Sequence, residues 1–142
     1  MKILVATEDS PDELIRLAAR LVPLAGAEIH VVSVARPPVV LAGGPTLVDP
    51  QASEAILDTA IAETDTHLAD AERAIAGMGA HATMHRRLGN PASEILEVAR
   101  GLQPDLVVVG SHSKNAISRL VWGSVSDEVL AGWRGAVLVV PR

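Results

Sequence analysis

Short strand-like runs alternate with helix-like segments along this chain, and that alternation constrains the fold more than any other feature. The runs are Lys2 to Ala6, Ile29 to Val34, His81 to Arg87, Leu106 to Val109 and Ala136 to Val140. Four are rich in Val, Ile, Leu and Ala; the third is polar and reads as an edge strand. Ser10-Pro11-Asp12-Glu13 opens the first helix, with Ser10 as cap, Pro11 in the first turn and Glu13 closing a capping box. Gln51 to Gly77 is a long amphipathic helix whose stripe is Ile56, Ala60, Thr64, Leu68, Ala71 and Ile75. Pro91 to Arg100 is a third helix, ended by Gly101, and Ser124 to Ala131 a fourth. Five strands with intervening helices predict an α/β fold, a five-stranded parallel doubly wound sheet covered on both faces.

The core has few other materials available. Hydrophobic residues make up 49% of the 142 residues, and Trp122 and Trp133 are the only aromatics. Leu, Val, Ile and Ala must fill it, which suits a parallel sheet under Ala-rich helices. Residues 1–142 are expected to form a single domain. A net charge of −5 and two aromatics argue against a nucleic-acid surface. The absence of cysteine excludes disulfides and thiolate chemistry. No apolar run approaches the ~20 residues of a membrane span, and the first residues lack a signal-peptide layout. A soluble cytoplasmic protein is expected, with no membrane association.

A doubly wound sheet binds ligands at the C-terminal strand ends, where strand order reverses. If the first and fourth strands are neighbours, two segments meet there. Thr7-Glu8-Asp9-Ser10 supplies carboxylates and a helix cap. Gly110 to Ser113, with Gly123-Ser124-Val125-Ser126, supplies small residues, hydroxyls and a helix N-terminus suited to an anion. Ser124 either caps its helix or donates to a phosphate, and His112 lies in the same segment. Lys114 and Arg119 are nearby cations or ordinary surface charge. Arg36 to Pro50, rich in Pro and Gly, reads as a flap or a partner-contact loop. His81 and His85 would share a strand face about 13 Å apart, too far for one metal ion, and no metal site is expected. Walker, Gly-x-Gly-x-x-Gly and Gly-x-Ser-x-Gly motifs are all missing from the sequence. Trp133, after the last helix, is a candidate for a dimer seam.

Gly110-x-x-Ser113, nine residues, then Gly123-Ser124 resembles the signature of the universal stress proteins, Gly-x-x-Gly, nine residues, Gly-Ser/Thr. Ile3 to Pro11 is similar to that family's first strand and turn, Gly89-Asn90-Pro91 to its third helix start, and Gly123 to Val140 to its C-terminal end. The resemblance implies a flavodoxin-like or Rossmann-like sheet of order 3-2-1-4-5. It implies homodimers paired through the last strand, here Ala136 to Val140, with protein partners still to be identified. It also implies stress-responsive regulators of two kinds, those that bind ATP or AMP, with or without Mg²⁺, and interaction modules that bind no nucleotide. Slow ATP hydrolysis is the most activity it implies, and no residue is assigned a catalytic role. By position, Gly110, Gly123, Ser124, Val125 and Ser126 would face phosphates, with Thr7, His112 and Ser113 alongside. Val34 would offer its backbone to adenine. The family's nucleoside-contacting Asp falls on Glu8, with Asp9 adjacent, and Ser113 stands where the signature has its second glycine.

Overall fold

A computed structural model describes residues 1–8, 11–37, 50–110 and 125–140. The elements are β1 (Lys2–Thr7), α1 (Pro11–Leu21), β2 (Glu28–Ala35), α2 (Pro50–Gly77) and β3 (Ala82–Leu88). They continue as α3 (Pro91–Leu102), β4 (Leu106–Gly110), α4 (Val125–Gly132) and β5 (Ala136–Val140). All strand pairs are parallel, in the order β3-β2-β1-β4-β5. β1 is central, and its side chains alternate between two buried layers. Ile3 and Val5 meet Leu14, Ile15 and Ala18 of α1 and Leu68, Ala71 and Ile75 of α2. Leu4 and Ala6 meet Ala92, Ile95, Leu96 and Ala99 of α3 and Val129 of α4. Burial on both faces is why this strand reads as an unbroken apolar run.

The observed boundaries differ from the expected ones in instructive ways. α2 has 28 residues, about 42 Å at 1.5 Å per residue, and so outruns strands of five to eight residues. Its C-terminal stripe is buried as expected, but Ile56 is 55% exposed because that end lies beyond the sheet. α3 does not stop at Gly101. It continues to Leu102, and Gln103 caps it in the left-handed region (φ 52°), donating its N–H to Ala99 O at 2.7 Å. At its start Asn90 accepts from the Ser93 N–H at 3.1 Å, ahead of Pro91. α4 extends to Gly132, where a Cβ would come within 2.5 Å of Leu96 Cδ1, so a glycine allows α3 and α4 to approach. Trp133 packs with the layer formed by α3 and α4.

β3 is an edge strand, as its polarity implies, but it begins at Ala82 and leaves His81 exposed outside it. His85 meets His30 of β2: Nε2 of His85 and Nδ1 of His30 lie 2.8 Å apart, one donating to the other. Charged groups surround this pair on the α3 face. Glu28 Oε1 is 3.7 Å from His30 Nε2, and Lys2 Nζ is 3.5 Å from Glu28 Oε2. Arg87, two residues beyond His85, binds Glu94 at 2.8 Å and Glu97 at 3.0 Å on α3. Burial, then the charges of His30 and Arg87, pull the His85 pKa below its ordinary 6.5.

Candidate nucleotide site

Strand order reverses between β1 and β4, and a cavity of about 450 Å³ opens there at the strand ends. Thr7 and Glu8 reach it from β1, Ser33 and Val34 from β2, Gly110 from β4, and Val125 and Ser126 from the first turn of α4. The register places Thr7 opposite Ser33 and Ala6 opposite Val109, so these ends finish at a common level. Ser33 and Ser126 are buried. Thr7 is only 3% exposed, and its Oγ1 has no hydrogen-bond partner among the described residues. A buried hydroxyl at a cavity wall without a partner is costly to leave so.

The backbone of β2 adds a second polar feature. β1 pairs with β2 only as far as Ser33, whereas β3 continues to pair with it through Ala35. Ala35 O accepts from the Gly89 N–H at 3.0 Å, so it points toward β3. Backbone groups of successive strand residues point to alternate sides. The C=O of Val34 therefore faces the β1 side beyond the last bridge, Thr7 with Ser33, whereas the Val34 N–H closes that bridge on Thr7 O. That carbonyl is an acceptor on a residue that lines the cavity.

The expected site residues thus divide. Thr7, Glu8, Val34, Gly110, Val125 and Ser126 are brought together around one cavity. Asp9, His112, Ser113, Gly123 and Ser124 lie outside the described residues, as do Ser10, Lys114, Arg119, Trp122 and most of the Arg36 to Pro50 loop. Five polar contributors were not expected, Ser33 of β2 among them. Arg36 stands just past β2, with Nη2 3.8 Å from Glu8 Oε1. Glu63, Thr64 and His67 line the cavity from α2. The Thr64 hydroxyl already donates to Ala60 O at 2.8 Å. Position next to Val34 was the available signal for Arg36; helical spacing from the Ala60–Thr64 stripe was the one for Glu63 and His67. The first turn of α4 carries Asp127 and Glu128, which complement its dipole. Among the described residues, no cluster of three or more His, Asp or Glu groups could hold a metal, and no helix is long and apolar enough to cross a membrane.

A doubly wound parallel sheet with a polar cavity at its switch point defines an α/β protein of the small-ligand-binding type. The model of the universal stress protein family matches residues 1–141, and the chain belongs to that family. It is 38% identical over 52 residues to the stress response protein NhaX of Bacillus subtilis, covering 37% of this chain and 31% of NhaX. It is 39% identical over 54 residues to the universal stress protein MJ0531 of Methanocaldococcus jannaschii, covering 38% and 32%. These matches span about a third of each curated relative. Among solved structures, the MJ0577 protein superposes with a TM-score of 0.78 at 20% identity, covering 99% of this chain and 95% of that one. A universal stress protein family protein from Arabidopsis thaliana with AMP bound gives 0.70 at 16% identity, covering 100% and 92%. The universal stress protein from Archaeoglobus fulgidus in complex with dAMP gives 0.65 at 22%, covering 99% and 97%.

Proposed function

We propose that this chain is a cytoplasmic, stress-responsive regulator that binds an adenine nucleotide, AMP or ATP with or without Mg²⁺, in the switch-point cavity. The observation that carries this reading is the Val34 carbonyl, past the end of the β1 pairing, beside Glu8, Gly110 and Ser126 in one cavity of about 450 Å³. That volume lies in the range of small-ligand pockets. The adenine amino group donates to Val34 O, Glu8 accepts from the ribose, and Gly110 with the α4 N-terminus receives phosphate. Binding of AMP and dAMP by the Arabidopsis and Archaeoglobus neighbours supports the choice of base. The regulator works as a homodimer joined along β5, an edge strand whose Val137, Leu138 and Val139 are half-buried. Ser113 in place of the signature glycine, with Arg36 already against Glu8, favours a second reading, a dimeric interaction module that holds no nucleotide.

Denaturing the purified protein and identifying released small molecules, together with calorimetry against AMP and Mg-ATP, separates the two. Released or titrated adenine nucleotide is the expected result. No released nucleotide and no heat at millimolar ligand overturns the first reading in favour of the second. Light scattering that returns only the 14.8 kDa monomer at high concentration overturns the dimer.

A further inference from the structure

Arg36 is the only guanidinium or ammonium group among the described residues lining the cavity, and it sits away from the phosphate end. In the sheet, β2 stands on one side of β1 and β4 on the other. With neighbouring strands about 4.8 Å apart, the ends of β2 and β4 are about 10 Å apart. A 5′-phosphate directed at Gly110 and Ser126 runs toward β4, away from Arg36. The part of a nucleotide left beside Arg36 is the opposite edge of the sugar, with its 2′ and 3′ oxygens. That is the edge assigned to Glu8, and Arg36 lies 3.8 Å from the Glu8 carboxylate. In dinucleotide-binding sheets an acid takes the ribose 2′-OH, or an Arg nearby accommodates a 2′-phosphate.

We propose that Arg36 makes the cavity selective for adenine nucleotides that carry a phosphate ester on the 2′ or 3′ oxygen of the ribose. The proposal rests on the reading of the cavity as an adenine-nucleotide site and names its substrate class. Glu8 accepts a hydrogen bond from the hydroxyl that remains free, while Arg36 donates to the phosphate. A guanidinium presents a planar fork of five N–H donors and can serve both. Its charge is also needed: without it, the described lining would face the phosphate with two carboxylates, Glu8 and Glu63.

Calorimetry on the full chain with adenosine 3′,5′-bisphosphate, adenosine 2′,5′-bisphosphate, ADP and 5′-AMP tests this. ADP holds its second phosphate at the 5′ end and so controls for charge. At least one bisphosphate is expected to bind about tenfold or more tightly than ADP, and the better of the two identifies the oxygen. Arg36→Ala is expected to remove that preference, bringing the ratio of bisphosphate to ADP affinity to about one; Arg36→Lys, which keeps the charge but loses the fork, retains part of it. Should Arg36→Ala fail to fold, the wild-type panel and Arg36→Lys decide the matter. Equal affinity for ADP and both bisphosphates, or a preference that survives Arg36→Ala, overturns the proposal. Binding of 5′-AMP without the preference overturns this selectivity alone, whereas no binding of any of the four removes the nucleotide reading as well.

Discussion

Acidification should weaken this fold at the His30–His85 pair, and a glutamine at position 85 should remove that weakness. The two facing ring nitrogens are 2.8 Å apart, a distance that one N–H and one lone pair satisfy. A proton on both rings turns both facing atoms into donors and sets two charges side by side. With ring centroids 5.1 Å apart, Coulomb's law at an effective dielectric of about 20 gives a repulsion of about 3 kcal/mol. His85 is half-exposed, so solvent screening reduces the measurable part to about 1 kcal/mol. The neighbours give little relief. Glu28 is shared between His30 and Lys2, and Glu94 and Glu97 are taken by Arg87.

The direction follows from the lowered His85 pKa. Between the folded value and the unfolded 6.5, the unfolded chain binds more protons, so stability rises with pH there. The stabilisation is complete above 6.5 and is lost as pH falls through the folded value. Urea unfolding followed by circular dichroism at about pH 7.5 and about pH 5 reads this out. Wild type should lose about 1 kcal/mol more than His85→Gln, whose amide can still bond His30 but does not titrate. Equal losses in the two proteins would show that the pair takes no second charge and would refute the argument.

Two further outcomes are expected. Gly89→Ala should cost about 1–3 kcal/mol, because Gly89 has φ +145° and a Cβ there would lie 2.8 Å from Glu94 Oε1. A thermal melt unchanged by that substitution would contradict the geometry. Ser113→Gly, which restores the signature glycine, should tighten Mg-ATP binding in calorimetry by up to about fivefold, the about 1 kcal/mol that a serine costs where a bound phosphate requires a left-handed backbone. Unchanged affinity would mean that Ser113 does not oppose the ligand.

Periodicity in the sequence was enough to place the helices and strands because the buried face of each element repeats at its own period. It placed Thr7, Glu8 and Gly110 together because they stand at the ends of strands expected to be neighbours; Val34 was added by the family resemblance alone. What it could not supply was the third dimension above the sheet. Ala60 and Thr64 lie on the apolar stripe of α2 and were read as core. The helix instead runs past the strands, and Ala60, Glu63, Thr64 and His67 become a wall. The His30–His85 contact was equally hidden. It joins residues 55 apart, and the register between two parallel strands depends on how the whole crossover packs rather than on either strand. His81 and His85 invited comparison by spacing alone, yet only His85 entered the strand.

The pair and the cavity meet in β2. β1 has six residues and β2 eight, and their pairing begins at Lys2–Glu28 and ends at Thr7–Ser33. Val34 and Ala35 therefore project beyond β1, and what fixes them is their pairing with Arg87 and Leu88 of β3. The end of β2 that lines the cavity therefore depends on its pairing with β3, a strand that is itself at the edge of the sheet. Arg87, tied to Glu94 and Glu97, anchors that strand to α3. His85 lies two residues earlier in the same strand, against His30. The polar side chains that mark β3 as an edge strand are the ones that hold the cavity-lining end of β2 in place.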